Sequence, residues 1–350
     1  MAPDSQLRAG IVGFGFAGRI FHAPFLAAAG FDVAGICTGN PERAAQARAE
    51  YPGAEIVADA EQLIGREDLD LIVIATPNSS HTELACAALE AGHDVVVDKP
   101  FAPTVAEAER IIATAADTGG VLSVFQSRRF DSDFRTVREV LGSGELGAVH
   151  RFESRYERWR PAVGQNWRES DDPALAGGLL FDLGSHLVDQ FINLFGAPDQ
   201  VYAEVKRRRP GALVDDDVFL ALQAGSVTGH LWMSALAADP GPRFRVLGDR
   251  AAFSKSGMDP QEDALLAGDR PGAADWGTEP AATHGRIGNP EGWRPVVSAR
   301  GDYTDYYRSF AEAMSGVAPV PVDPADSLLG LRVLHAAKRS AALGTVESLA

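Results

Sequence analysis

The chain has 350 residues, 45% hydrophobic and 23% charged, an ordinary globular composition with length for two domains at roughly 150 residues each. With 32 Lys and Arg against 48 Asp and Glu the net charge is −16, which repels a phosphate backbone and argues against nucleic acid as a partner. Two cysteines, Cys37 and Cys86, are too few for a disulfide framework or a zinc cluster, and neither a signal core nor an apolar run near the ~20 residues of a membrane span is visible, so a cytoplasmic protein without membrane contact or metal is expected.

From Leu7 to about Phe125 short apolar runs alternate with helical patterns. Arg8 to Val12, Phe31 to Thr38, Leu69 to Thr76, His93 to Val97 and Val121 to Phe125 read as strands, while Arg19 to Ala29, Pro41 to Tyr51, Ser80 to Ala91 and Thr104 to Thr118 read as helices. This alternation predicts crossover units and a doubly wound parallel sheet of the α/β class. The punctuation agrees: Asn40 precedes Pro41 as an N-cap, Thr104 and Glu107 suit a capping box, and Gly92 and Gly119 stand where helices should end.

After Phe125 the rhythm changes. Phe134 to Leu141 reads as a helix, Val149 to Arg158 as a strand and Leu179 to Phe195 as one helix opened by Gly177 and Gly178. Val201 to Arg207, Val218 to Gln223, Thr228 to Ala235, Phe244 to Leu247 and Ala251 to Lys255 then follow as strands without helices between them. A C-terminal α+β domain on a largely antiparallel open sheet is predicted, with domains at 1–125 and 126–350. The Gly/Pro-rich stretch 268–296 carries Trp276 and Trp293 and is expected to be an ordered excursion near the site or an interface. Tyr303 to Ser315 and Pro324 to Leu343 are the closing helices.

Three groups of residues carry chemistry. The first strand runs into Gly13-Phe14-Gly15-Phe16-Ala17-Gly18 and then a helix, the context in which a glycine-rich turn cradles a dinucleotide pyrophosphate. After the second strand, where an acid would bind a ribose 2′-hydroxyl, the chain reads Cys37-Thr38-Gly39-Asn40-Pro41-Glu42-Arg43. Neutral donors at Thr38 and Asn40 with Arg43 beyond favour NADP over NAD.

The second group lies at carboxyl ends of later strands: Thr76-Pro77-Asn78 with His81, and Asp98-Lys99-Pro100, which should face the nicotinamide side. Lys99, held extended by Pro100, is placed to polarise an alcohol or carbonyl oxygen, and Asp98 to orient it or hold ribose. The third group is Gly177 to Asp189. On one helix Asp182, His186 and Asp189 would share a face, with His186 as general acid and base and a carboxylate fixing its tautomer.

At these residues the sequence resembles the Gfo/Idh/MocA family of nicotinamide-dependent oxidoreductases, through Gly13 to Gly18 followed by Phe21-His22-Ala23-Pro24, Thr76-Pro77-Asn78, Asp98-Lys99-Pro100 and Gly177 to Asp189. Through Gln126-Ser127-Arg128-Arg129-Phe130-Asp131, Asn166-Trp167-Arg168-Glu169 and Asp259 to Leu265 it is most similar to the branch holding NADP-dependent scyllo-inositol dehydrogenases. The resemblance implies Lys99, Asp182 and His186 as the catalytic set and Gln126, Trp167 and Arg168 as contacts near nicotinamide or substrate. It departs from the family pattern at Asp98, usually Glu, and at Thr38-Gly39-Asn40, where NADP-preferring relatives carry Ser/Thr-Arg.

The expectation is therefore hydride transfer between NADP and a secondary alcohol or ketone of a cyclic polyol or sugar, with Lys99, Arg128, Trp167, Asp182 and His186 on the substrate side. The net acidity favours a neutral substrate, although Arg128 or Arg168 would reverse that preference locally. The alternatives are a non-catalytic NADP-binding sensor, or transient oxidation that permits sugar elimination or glycoside cleavage. A homodimer or homotetramer through the C-terminal sheet is expected.

Overall fold

The computed structural model describes residues 6–164 and 167–349, so Asn166 of the motif quoted above lies outside the described residues. The chain forms two compact units. The first holds the chain through Ser127 with Glu262–Trp276 and Asp302–Leu328, and the second Arg128–Gln261, Gly277–Gly301 and the chain from Leu329 onward.

In the first unit β1 (Arg8–Val12), β2 (Asp32–Cys37), β3 (Glu55–Val57), β4 (Leu71–Ile74), β5 (Asp94–Val97) and β6 (Leu122–Val124) are all parallel, in the order β3-β2-β1-β4-β5-β6. This is the doubly wound sheet expected, with β3 added; its three residues are too few to show a period. The caps form as the sequence suggests. Asn40 Oδ1 accepts from the N–H groups of Glu42 and Arg43 at 2.9 and 3.0 Å, and Thr104 Oγ1 accepts from that of Glu107 at 3.3 Å.

The helix expected over 19–29 is divided into a π-helical turn, Ala17–His22, and an α-helix, Ala23–Ala28. Pro24 has no N–H to return to Ile20, and the N–H of Ala23 reaches back five residues to the carbonyl of Gly18. The two later segments of this unit lay aromatic rings on that helix. Phe25 on it meets Trp276 and Tyr303 at ring distances of 5.9 and 5.3 Å, and Phe125, just past β6, meets Tyr306 at 4.9 Å.

The second unit is built on β7 (Val149–Glu157), β8 (Gln200–Lys206), β9 (Asp217–Ala224), β10 (Val227–Ser234), β11 (Phe244–Gly248), β12 (Ala252–Lys255), β13 (Gly285–Asn289), β14 (Gly292–Val296) and β15 (Glu347–Ser348). Their order is β14-β13-β12-β11-β7-β10-β9-β8-β15, antiparallel throughout except for β7 beside β10. Inward and outward residues alternate along β9. One face packs against the helix Gly184–Phe195 so tightly that a Cβ at Gly229 would lie 2.4 Å from the ring of Phe191. On the other face Phe219, His230 and Trp232 cluster, with the guanidinium of Arg155 4.0 Å from the Trp232 ring centroid.

The Gly/Pro-rich stretch is ordered. Its first part carries the buried Trp276, and its second forms the β13–β14 hairpin, where Arg286 covers the half-exposed ring of Trp293. What anchors it is a buried ionic cluster. Lys255 donates to Glu279, and Glu279 also accepts from the hydroxyls of Ser132 at 2.5 Å and of Thr283 and Ser298 at 3.0 Å. No helix among the described residues is long and apolar enough to cross a membrane.

Removing one member of that cluster leaves an uncompensated charge in a dry site. Glu279→Ala should lower stability by about 3–5 kcal/mol. Replacing both partners with apolar residues, Lys255→Met with Glu279→Leu, should lower it less. Urea midpoints of the two variants check this, and equal losses would show that the burial of Lys255 is not what makes Glu279 necessary.

Candidate active site

Past the end of β1 the backbone turns at Gly13, with φ +102, where a Cβ would stand 2.5 Å from the carbonyl oxygen of Ala75. At Gly18 a Cβ would lie 2.0 Å from the Gly13 carbonyl oxygen. Gly15 is different: around its Cβ position the nearest group is Arg43 Nη1 at 3.6 Å. Gly13 and Gly18 are thus demanded by the fold, while Gly15 leaves a concave, open stretch of backbone under a guanidinium. Phe16 is exposed beside it, with Phe21 edge-on at 5.6 Å, and Ala17 opens the π-helical turn. Such a cradle suits a pyrophosphate, with Arg43 set for a further phosphate. Gly39 has open space around its Cβ position, Thr38 Oγ1 accepts from the Asn40 N–H at 3.4 Å, and the Asn40 carbonyl is occupied in capping.

The loops after β4 and β5 are tied together by His81. This fully buried ring has Nε2 3.0 Å from the Thr76 carbonyl oxygen and Nδ1 3.1 Å from that of Pro100, and burial holds its pKa below the usual value against the opposing charge of Asp98. Pro77 is exposed and Asn78 buried on the same turn. Asp98 accepts from the Lys99 N–H at 2.9 Å, and its Oδ1 lies 3.8 Å from His22 Nε2, while His22 Nδ1 is 2.5 Å from the Tyr307 hydroxyl. Burial raises the Asp98 pKa, but His22, Lys99 and His81 outweigh it and leave the carboxyl below the usual range. The Lys99–Pro100 peptide is cis. Gln126, after β6, is buried, and its Oε1 has no hydrogen-bond partner among the described residues, an acceptor suited to a bound amide.

In the second unit the helix expected over 179–195 is broken at Leu183 into Leu179–Asp182 and Gly184–Phe195. The first turn is held from a distant segment. Asp215 offers its backbone carbonyl to the Leu179 N–H at 3.0 Å and its carboxylate to that of Leu180 at 2.7 Å, and a Cβ at Gly178 would lie 2.2 Å from that carboxylate. Gly177 likewise lets the carbonyl of Ser170 approach. Asp182 lies 3.3 Å from Arg168 Nε, and that guanidinium covers the ring of Trp167 at 4.5 Å. His186 is buried, its ring 6.5 Å from that of Tyr156.

Asp189 accepts from two nitrogens of Arg129, at 2.8 and 2.6 Å, so this carboxylate serves a buried ion pair. Arg128 is buried 3.6 Å from Asp131 and faces the ring of Tyr156. Beside Asp182 opens a cavity of about 100 Å³, lined also by Arg158, Arg160, Arg168, Arg209 and Asp215. Arg158, Arg160, Arg209 and Asp215 escape a reading of the sequence because they come from separate strands and loops. Asp215 in particular sits in an acidic run, Asp215-Asp216-Asp217, that resembles a solvated turn. Burial, with the Leu180 N–H opposing it, raises its pKa to about 6.

A model of an oxidoreductase family with an NAD-binding Rossmann fold, GFO/IDH/MocA, matches residues 7–126, and the GFO/IDH/MocA C-terminal domain matches residues 134–254. The chain is 33% identical to scyllo-inositol 2-dehydrogenase (NADP(+)) IolW of Bacillus subtilis, over 95% of this chain and 93% of that one. It is 37% identical to the uncharacterized oxidoreductase YdgJ of Escherichia coli, over 97% of both. The solved yvaA chain of Bacillus subtilis superposes with a TM-score of 0.93 at 32% identity, with 99% of both chains covered.

The raised pKa of Asp215 has a consequence for stability. Between the ordinary carboxylate value near 3.8 and about 6, the folded chain holds a proton that the unfolded chain releases, so this group's contribution falls as pH rises through that window. Asp215→Asn removes the dependence. The melting temperature of the variant relative to wild type should therefore rise by a few degrees between pH 4 and pH 7, and a constant difference would show that Asp215 is ionised throughout.

Proposed function

This chain belongs to the GFO/IDH/MocA family and is an NAD(P)-dependent oxidoreductase, and we propose that it moves a hydride between NADP and a secondary alcohol or ketone of a cyclic polyol or sugar, as in the scyllo-inositol dehydrogenase branch. The observation that carries the choice of NADP is at the glycine loop: the end of β2 runs into Thr38-Gly39-Asn40 where an acid would bind a ribose 2′-hydroxyl, and Arg43 Nη1 reaches within 3.6 Å of the open side of Gly15. A 2′-phosphate would meet the Arg43 cation there, with neutral residues at Thr38, Gly39 and Asn40. The polyol assignment takes its support from the relative IolW.

When bound, the nicotinamide supplies the hydride acceptor or donor. The protein supplies the rest. His186, buried on the helix Gly184–Phe195, takes the hydroxyl proton on oxidation and returns it on reduction. Lys99 hydrogen-bonds the oxygen on which alkoxide charge develops, its backbone fixed by Asp98. Asp182 orients the reacting hydroxyl and is itself steadied by Arg168. Residues 1–125 hold the cofactor, through Gly13 to Gly18, Thr38 to Arg43, Thr76 to Asn78 and Asp98, with His81 shaping the loops and Gln126 joining them from the next segment. Residues 126–350 bind substrate, with Trp167, Arg168 and Arg128 near it, and make the oligomer contacts. The aromatic cluster on the half-exposed sheet face supports a homodimer or homotetramer formed there, in the cytoplasm.

Steady-state rates on a panel of inositols and sugars test this reading. His186→Ala and Lys99→Ala should each lower kcat by about 10²–10⁴-fold with NADP binding retained. Unchanged turnover would remove these roles, and retained binding with no turnover on any substrate would favour a sensor. Separately, Arg43→Ser should raise KM for NADP about tenfold more than KM for NAD. Equal changes for the two cofactors would overturn the assignment of NADP.

A further inference from the structure

The cavity beside Asp182 is lined by four arginines, and its carboxylates are already engaged. Arg209 donates to Glu169 and Asp216 at 2.9 Å, Arg168 lies 3.3 Å from Asp182, and Asp215 accepts from the Leu180 N–H. Arg158 and Arg160 line the same space and have no carboxylate within salt-bridge distance among the described residues. They stand two apart on extended chain continuing β7, so both side chains lie on one side. Their backbones are fixed: the Arg158 N–H donates to the Ser234 carbonyl at 2.8 Å and the Arg160 N–H to that of Ala235 at 2.7 Å. The guanidinium of Arg158 also faces the Tyr156 ring at 5.3 Å, which limits its motion.

We infer that the substrate carries an anionic substituent, a carboxylate or phosphate, that Arg158 and Arg160 receive in this cavity while the reacting hydroxyl lies toward Asp182. This rests on the reading of Asp182 as a substrate-side residue. Two guanidinium groups without acid partners present planar forks of donors that match the oxygens of such a group, whereas a neutral polyol would leave their charge unmet. A volume of about 100 Å³ has room for such a substituent. The chain's charge of −16 does not oppose this, because over such short distances the nearby cations dominate.

Initial rates with NADP on glucose, glucuronate and glucose 6-phosphate test the inference, for wild type, Arg160→Gln and the double variant Arg158→Gln/Arg160→Gln. The ratio of kcat/KM for the better anionic sugar to that for glucose should be at least about tenfold, and should fall about tenfold or more in the double variant. Preference for glucuronate identifies a carboxylate, and preference for glucose 6-phosphate a phosphate. Turnover of the neutral sugar at equal efficiency, with a ratio the variants do not move, would overturn the inference and leave the hydride-transfer reading standing. If none of the three is oxidised, calorimetric titration of glucuronate and of glucose 6-phosphate into the NADPH-loaded protein decides the inference alone. Binding weakened about tenfold or more in the double variant supports it, and absent or unaltered binding overturns it. The exposed Arg160 variant keeps the test valid if the double variant melts early.

Discussion

The carboxyl ends of β1 and β4 come together with no room for a side chain between them, because any Cβ at Gly13 would enter the carbonyl of Ala75. Gly18 closes the same loop from the other side, against the carbonyl of Gly13. With both ends pinned, the turn between them can take one course, and Gly15 is left facing outward under Arg43. The following chain then enters its π-helical turn, which sets His22 in the core against Phe125 at 4.4 Å, Tyr307 and Asp98. Asp98 in turn holds the backbone of Lys99. A steric constraint at two glycines thus reaches, through His22 and Asp98, the lysine assigned to the chemistry.

Signals that act over a few residues were legible in the sequence: the glycine turn, the Asn40 and Thr104 caps, and the alternation of strands and helices that produces the parallel sheet. The break at Leu183 was not, since Leu179 to Phe195 keeps a helical period across it, and neither was the capping of Leu180 by Asp215, more than thirty residues away. The same distance hid the cavity. Its arginines come from the end of β7, from the loop at Arg168 and from the turn after β8, and only the folded sheet brings them together. The β13–β14 hairpin was concealed by composition, because its Gly and Pro content argues for loop while its pairing comes from the neighbouring edge of β12.

The interior of the second unit carries several buried ion pairs although the chain is acidic overall. Arg129 with Asp189, Arg243 with Asp133 and Arg209 with Asp216 are all buried, and Arg243 also donates to Ser154 and Gln190 at 2.6 and 3.0 Å. Such pairs contribute little net stability compared with apolar packing of the same volume. Their directional bonds nevertheless join the helix Gly184–Phe195 to β7 and to the segments at Arg128 and Asp133, which constrains where His186 can stand.

The two ends of the nine-stranded sheet bear on how the protein avoids aggregation. At one end β14 includes Pro295, which has no N–H to offer, and Arg294, which carries charge along the rim and pairs with Glu145. At the other, β15 is two residues long. Pro295 thus interrupts the row of donors on one rim, while β15 covers only Gln200 and Val201 of β8 at the other. A strand added at the β14 rim would find no donor at Pro295 and a charge at Arg294, which makes that edge a poor template for further pairing.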